Sequence, residues 1–317
     1  MKTKEQFSIT YFLTRPFFFG IIYSQIFGLS ETDSIISCLL GTIIGLFIIF
    51  LISKMDYSDK KFKTIQIFFY LFLFILAISS IETYASSFLL TKTPKIIIII
   101  PAIMLVSYAN QKDMSVIKKC AFIFAIISIF STIIICLLLS NYLNIQNILP
   151  FFSHKPLNIL KSAMIFGVMS ASPNILLKDE NIPLKNHLIF YLITTIINTT
   201  IAFLTLAILT PDVAKIYSYP EYMVLKRIRI FEFIENIENL SVLIWYFDYF
   251  FLLVYIFKKM QEIIKKRVIF FIIIIMTTLL TTFFIANDFY ITIWIYKYSS
   301  IIISTFLILF ISTLKHK

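Results

Sequence analysis

The chain has 317 residues, of which 59% are hydrophobic and only 14% are charged, and its mean hydropathy is +0.91. Soluble globular domains carry roughly 45–50% apolar and about 25% charged residues, so one soluble core does not account for this surplus. The composition therefore excludes a soluble domain and predicts an integral membrane protein. The net charge of +11 does not indicate a nucleic-acid partner, because the cations lie in short segments between apolar runs.

Ten apolar runs follow one another along the chain, and each is a candidate transmembrane helix, which needs about 20 mainly apolar residues. The runs cover residues 7–29, 34–54, 65–91, 95–110, 116–141, 157–178, 187–210, 233–257, 268–286 and 290–314. The fourth run is short and contains Pro101, and polar residues interrupt the sixth. We therefore predict an all-α integral membrane protein with ten transmembrane helices in the lipid bilayer.

The first and sixth runs share an interruption. Pro16 removes a helical N–H from the first run and crowds the preceding turn. Gly167, Ser170, Ser172 and Pro173 occupy the sixth run, where other runs have Ile and Phe. In many transporters the first helix of each of two inverted repeats is broken in this way, and the ligand binds at the breaks. The sequence thus predicts a five-plus-five inverted repeat with interrupted helices 1 and 6.

The connections between the runs predict how the chain is oriented. Repeat one would cover residues 7–143 and repeat two residues 156–314, within a single transmembrane domain. Both termini and every second connection are rich in Lys and Arg, as cytoplasmic loops are. These connections contain Lys54, Lys60, Lys61, Lys63, Lys112, Lys118, Lys119, Lys178, Lys185, Lys258, Lys259, Lys265, Lys266 and Arg267. We expect a multi-pass protein of the cell membrane with both termini in the cytoplasm.

The seventh connection, residues 211–231, is an exception to this rule. It carries Lys226, Arg227 and Arg229 on the side that the other loops assign to the exterior. A loop that carries structure can break the rule, and Pro220 predicts the start of a short helix. We therefore expect an extracellular amphipathic segment that covers the outer mouth.

Arg15 lies near the middle of the first run, where an Arg costs roughly 2.5–3.5 kcal/mol on insertion scales. Two explanations account for its presence, and they are compatible. Arg15 lines a wet cavity and binds a ligand carboxylate, or it forms a structural ion pair with Glu82 or Asp248. Phe18 and Gly20 follow the break and are predicted to belong to the same ligand site.

Glu82 belongs to a polar stripe on the third run. At helical spacing Ser79, Glu82, Thr83 and Ser86 share one face. Lipid does not satisfy polar groups, so this face is expected to point into the helix bundle. There it contacts a ligand amine or holds helices together. The full set of predicted ligand-binding residues is Arg15, Phe18, Gly20, Glu82, Thr83, Ser86, Gly167, Ser170 and Ser172.

Asp248 is a lone acid near the middle of the eighth run, beside Trp245. An acid at this depth is a candidate cation or proton site, and the alternative is a salt bridge to Arg15. Glu235 and Glu238 lie at the outer end of the same run. Acids in a first turn favour the positive helix end, so Glu232 and Glu235 cap the helix, or Glu235 and Glu238 form an outer gate. We predict Asp248, Glu235 and Glu238 as ion-coupling or gate residues.

No motif in the sequence carries catalysis or metal binding. The three histidines lie in or near loops without Cys or carboxylate at ligand spacing, and the three cysteines show no disulfide or zinc spacing. There is no phosphate loop, nucleophile elbow or catalytic dyad. We therefore expect neither enzyme activity nor a cofactor.

The segment from Tyr219 to Phe247 has the most individual pattern in the chain. Tyr219-Pro220 and Arg227-Ile228-Arg229-Ile230 lead into Phe233-Ile234-Glu235-Asn236-Ile237-Glu238 and an apolar run through Trp245. This pattern resembles the signature region of the B subunit of spore germinant receptors, in the amino acid–polyamine–organocation transporter superfamily. Leu89-Leu90-Thr91-Lys92-Thr93-Pro94 and Leu149-Pro150 resemble two further family motifs. The resemblance covers roughly residues 7 to 314 at low similarity. The chain departs from the family at Asn236, where the family has Arg, and at Thr14-Arg15-Pro16-Phe17-Phe18-Phe19, where it has a Gly-rich break.

The resemblance implies a membrane nutrient receptor subunit in the inner membrane of the spore. Such a subunit binds a small solute, an amino acid or a similar nutrient, in a transporter-like core. It signals through two partners, a membrane-anchored A subunit and a lipoprotein C subunit. The alternative is a secondary active amino acid permease coupled to Na⁺ or H⁺, with Asp248 and Glu82 as the coupling acids. A third alternative is a channel-like or scaffold role without a ligand.

Overall fold

The computed structural model describes residues 3–18, 20–54, 60–180, 182–228, 237–286 and 289–312, with the backbone alone at several helix ends, among them residues 237–241. These residues form helices joined by short turns, and no strand. The α-helices are α1 (Thr3–Thr14), α2 (Ile21–Ser30), α3 (Ser34–Lys54), α4 (Lys60–Tyr84), α5 (Lys95–Asn110), α6 (Met114–Leu139), α7 (Pro156–Ala171), α8 (Leu184–Leu209), α9 (Pro211–Ala214), α10 (Pro220–Leu225), α11 (Ile237–Ile263), α12 (Arg267–Leu280) and α13 (Phe289–Ser312).

Seven helical runs within the described part of the chain are long and apolar enough to cross a membrane. They are Ile22–Lys54, Phe62–Leu89, Met114–Tyr142, Pro156–Leu177, Leu184–Leu209, Arg267–Phe284 and Ile293–Ile311. The shorter α5 is also apolar and contains Pro101, as expected for the fourth run. These runs indicate an all-helical, multi-pass membrane protein.

The outer face of α6 shows why these helices suit a bilayer. Ile123, Phe130 and Leu137 expose more than half of their surfaces, at 57%, 63% and 68%. Water penalises contiguous apolar surface of this kind, whereas lipid tails do not. The helical backbone meanwhile satisfies its own hydrogen bonds, which is required in hydrocarbon.

The chain divides into two compact units. The first comprises residues 1–50 and 119–248, and the second comprises residues 51–118 and 249–317. In the first unit α1 packs along α8, and α2 packs against α7. In the second unit α4 packs against α13, α12 and the π-helix Thr281–Ala286.

Two glycines hold helices of the first unit at a close distance. A Cβ atom added to Gly41 of α3 would lie 2.7 Å from the Ala163 carbonyl oxygen of α7. A Cβ added to Gly167 would lie 2.7 Å from the Gly41 carbonyl oxygen. The two backbones therefore touch at this crossing, as small residues allow in membrane helix pairs.

The break predicted at Pro16 is confirmed, because α1 ends at Thr14 and α2 begins only at Ile21. Pro16–Phe18 forms one 3₁₀ turn between them. Gly20 has φ +114°, a backbone conformation that favours glycine. The sixth run behaves differently, since α7 passes into a 3₁₀ helix at Ser172–Leu177 without an extended gap.

The seventh connection forms two short helices, α9 and α10, and the helix predicted to start at Pro220 is α10. This helix packs against α8 and buries Glu221, Tyr222 and Leu225. The predicted amphipathic segment thus contains a buried helix, while its last residues, 229–231, lie outside the described part of the chain.

Candidate functional site

The candidate site lies at the break between α1 and α2, within the first unit. Trp245 of α11 donates its indole N–H to the Pro16 carbonyl oxygen at 3.4 Å. Asn174 donates its amide to the Thr14 hydroxyl at 3.1 Å, and its own oxygen lies 3.0 Å from His187 Nε2. The Trp245 contact satisfies a backbone carbonyl that a continuous helix would have paired internally, and the Asn174 contact holds the end of α1.

Arg15 is held at the break by one acid and three hydroxyls. Its Nε lies 3.3 Å from Asp248 Oδ2, so the ion pair weighed from the sequence joins Arg15 to Asp248. Its Nη1 donates to the hydroxyls of Tyr11 and Ser128, and its Nη2 donates to Thr132 Oγ1 at 3.3 Å. A guanidinium Nη carries two N–H donors, so Nη2 keeps one that binds no described residue.

A cavity with about 570 Å³ of empty space, its open mouth included, adjoins Arg15. Ser128, Thr132 and Trp245 contribute to its wall, and so does Glu221 of α10. The rest of the wall is mainly apolar and includes Ile135, Leu139, Ile201, Leu204, Val224 and Leu225. A largely apolar pocket with a few convergent polar groups is the usual form of a small-molecule site.

Glu221 is the second ionisable group of this cavity. Only 3% of its surface is exposed, and neither carboxyl oxygen has a hydrogen bond of normal distance and angle with a described residue, although the backbone amides of Glu221 and Gly20 lie nearby. Burial raises the pKa of Glu221 well above its ordinary value, and the backbone amides of Glu221 and Gly20 lower that pKa by a smaller amount. A buried carboxyl without a hydrogen-bond partner is costly, which makes this position unusual for a purely structural side chain.

Asn198 of α8 provides a further polar group beside Arg15. It lines a smaller cavity, with about 210 Å³ of empty space including its open mouth, together with Arg15, Phe18 and Trp245. Its side chain is fully buried, and neither its amide nitrogen nor its oxygen has a hydrogen-bond partner among the described residues. Both cavities therefore present buried polar atoms that protein groups do not satisfy.

The residues predicted around the break have different surroundings. Phe18 lines the smaller cavity and packs on Phe166, with ring centroids 4.6 Å apart. Gly20 lies against the ring of Tyr219, because a Cβ at Gly20 would be 2.6 Å from that ring. The backbone conformation at position 20 and its close contact with Tyr219 explain why this residue is a glycine, without any role in ligand binding.

The predicted residues of the sixth run lie in helix contacts. Gly167 sits at the crossing of α3 and α7. Ser170 makes a 2.6 Å hydroxyl contact with Tyr191 and also donates to its own helix, while Ser172 donates to the Val168 carbonyl oxygen. Neither cavity described above includes them, and their predicted role in ligand binding stays a prediction.

Glu82, Thr83 and Ser86 belong to the second unit. Thr282 donates its hydroxyl to Glu82 Oε1, and Glu82 Oε2 has no hydrogen-bond partner among the described residues. Both chain segments at this contact change to π-helix, Ala85–Leu89 after Glu82 and Thr281–Ala286 around Thr282. Single π-helical turns are frequent at functional sites. The Ser86 hydroxyl donates to the Thr83 carbonyl oxygen at 3.2 Å.

Two predicted gate residues lie outside what the structure describes. Glu235 falls in the segment that precedes α11, and for Glu238 only the backbone is described. In contrast, Asp248 is fully buried and engaged with Arg15. Within the described residues, no group of three or more His, Cys, Asp or Glu side chains is arranged to hold a metal ion.

Sequence reasoning missed Glu221 and Asn198 as candidate site residues. Glu221 is the one acid between Lys215 and Arg227, and that contrast was a usable signal. Asn198 stands between Ile and Thr residues in an apolar run, where an amide needs a partner. Comparison with protein-family models and with curated proteins finds no match for this chain.

Proposed function

We propose that the chain is a membrane nutrient receptor subunit of the spore germinant type, which binds an amino acid and signals through partner subunits. The observation that carries this proposal is the cavity at the break of the first run, which Arg15 lines with a guanidinium Nη2 that keeps one N–H without a described partner. A carboxylate is the natural acceptor for a buried guanidinium N–H.

The inverted repeat is part of the same proposal and is supported by the composition of the two units. Runs one and two fall in the first unit with runs six and seven, which are their counterparts in the repeat. Runs three and four fall in the second unit with run nine, while run eight is divided between the units after residue 248. Three corresponding pairs are thus grouped together, as expected if ten helices arose from two related halves, whereas runs five and ten fall in different units. The outer position of residues 211–231 and the cytoplasmic termini belong to this proposal too.

Binding is the first property to test. The protein is purified in lipid nanodiscs and tested for saturable binding of each standard amino acid in radiolabelled form. We expect at least one to bind, and we expect Arg15→Ala to abolish binding. Because this change leaves Asp248 unpaired, the double variant Arg15→Met/Asp248→Leu is tested beside it. Arg267→Ala, at an exposed Arg that begins α12, is the control for loss of a cation.

The second candidate function is an amino acid permease coupled to Na⁺ or H⁺. The buried acids Asp248 and Glu82 favour it, since intramembrane acids mark ion and proton routes in transporters. Uptake into proteoliposomes separates the two functions. Binding without uptake supports the receptor, and uptake that Asp248→Asn reduces supports the permease. If the unmodified protein neither binds nor takes up any amino acid, both candidates are wrong.

The partner proposal is tested separately. Co-expression with an A-type and a C-type germinant receptor subunit should give a complex that survives purification. If the chain is recovered from this co-expression without either subunit, these partners are wrong. The binding result would not be affected.

A further inference from the structure

The cavity of the first unit brings together two ionisable groups of opposite formal charge, Arg15 and Glu221. They differ in their protein partners. Arg15 already has Asp248 as its counter-ion at 3.3 Å, so Glu221 is not needed to neutralise it. Neither side-chain oxygen of Glu221 has a hydrogen bond of normal geometry with a described residue, although only 3% of its surface is exposed.

The backbone amides of Gly20 and Glu221 lie near this carboxyl, but neither forms a hydrogen bond of normal geometry with it. A buried carboxyl with such weak donors loses its hydration and gains little in return. Leu225 of the same helix shows that an apolar side chain fits this wall. Burial raises the pKa of Glu221, so the empty cavity favours its neutral form. A cation in the cavity would reverse that preference and supply the missing donors.

We propose that Glu221 binds the ammonium group of an apolar α-amino acid whose carboxylate is bound by Arg15. This assignment rests on the proposed function. It adds that Glu221 is the residue by which the site distinguishes amino acids from simple carboxylic acids. An ammonium group offers three donors to the two free oxygens of Glu221. The apolar wall formed by Ile201, Leu204 and Val224 then selects an aliphatic side chain. The ligand class is therefore a small zwitterion with an apolar side chain.

A matched ligand series tests the assignment. L-leucine carries both charged groups, 4-methylpentanoate lacks the ammonium, and 3-methylbutylamine lacks the carboxylate. L-valine and L-alanine, with their deaminated acids, extend the series to smaller side chains. Affinities are measured by calorimetry on the full chain in nanodiscs, with the unmodified protein, Glu221→Gln and Glu221→Asp.

For Glu221→Gln we expect a loss in affinity for the amino acid on the order of ten- to a hundredfold, as for a charge-assisted hydrogen bond. The affinity for the matched acid should change less than about twofold, because that ligand does not use Glu221. Glu221→Asp should keep part of the discrimination between the amino acid and its acid. Glu262→Gln, at a carboxyl that is 56% exposed, is the control for loss of one acid.

Other binding results would contradict either the role of Glu221, the ligand class or the proposed function. If Glu221→Gln binds the amino acid and the acid as the unmodified protein does, the ammonium assignment is wrong and the proposed function stands. If it loses both ligands equally, Glu221 only maintains the cavity, and the assignment is again wrong. If the unmodified protein binds none of these amino acids, the apolar ligand class is wrong. If it also binds no other amino acid, the proposed function fails with it.

Discussion

Removal of Asp248 is the most direct test of how Arg15 is accommodated. Asp248→Ala leaves Arg15 in place without the carboxylate that lies 3.3 Å from its Nε. Breaking a buried ion pair by deleting one partner costs about 3–5 kcal/mol, because the other charge stays desolvated. Arg15 is 12% exposed and keeps its three hydroxyl partners, so we expect the lower end of that range, about 3 kcal/mol.

A double-mutant cycle separates the ion pair from simple loss of packing. Arg15→Met and Asp248→Leu together replace the pair by apolar side chains, which is often neutral for buried pairs. We therefore expect the double variant to lie within about 1 kcal/mol of the unmodified protein. The single variants would then be less stable than the double variant, which is a strongly non-additive result.

The free energy of unfolding is measured by titration with sodium dodecyl sulfate in mixed micelles, followed by far-ultraviolet circular dichroism. Asp113→Ala, at an exposed carboxyl just before α6, is the matched control and should cost about 1 kcal/mol, as for a lost N-cap side chain. The reasoning fails if Asp248→Ala is as stable as this control. It also fails if the two single losses simply add in the double variant.

Three further changes test separate parts of the structure. The raised pKa of Glu221 means that its stabilising effect is complete below the ordinary glutamate pKa and is lost as pH rises through the raised value. The ligand-free protein should therefore lose stability with rising pH by thermal melting, and Glu221→Gln should flatten that dependence. Gly20→Ala should destabilise by about 2 kcal/mol or more, because its φ is +114° and a Cβ would meet the Tyr219 ring. Thr282→Val should cost about 1–2 kcal/mol, because it removes the hydroxyl that donates to Glu82.

The Gly20 and Thr282 changes each have a control within the chain. Gly28→Ala places a Cβ 4.0 Å from Lys215, an ordinary contact, and should be nearly neutral. Thr277→Val removes a hydroxyl that bonds only within its own helix. If Gly20→Ala equals Gly28→Ala, the close contact with Tyr219 is unimportant. If Thr282→Val equals Thr277→Val, the bond to Glu82 does not stabilise the second unit. An unchanged pH profile in Glu221→Gln would show that another group causes the dependence.

The parts of the fold that local chemistry determines were predictable from the sequence. The break of the first run follows from Pro16 itself, and the start of α10 follows from Pro220. An Arg deep in an apolar run requires an acidic partner, and the sequence offered Glu82 or Asp248. The structure shows the ion pair with Asp248.

Other features depend on which segments meet, and a single sequence does not contain that information. A glycine in an apolar run serves equally for ligand approach or for a helix crossing, and Gly167 pairs with Gly41 of a distant segment. The role of Glu221 was hidden for the same reason, since its cavity is closed by residues of α6, α8 and α11. Seven helical runs among the described residues are long and apolar enough to span a membrane. A total of ten transmembrane helices therefore stays a proposal.

The contact between Gly20 and Tyr219 has a mechanical consequence for the chain. The Tyr219 ring fills the space that a side chain at position 20 would need, so the start of α2 and the start of α10 are packed against each other. Tyr219 is separated from Glu221 by Pro220 alone, whose ring restricts the backbone between them. We therefore expect a shift of the broken segment to displace Tyr219 and, through Pro220, the carboxyl of Glu221. Occupancy of the proposed binding pocket and the position of α10 should then change together.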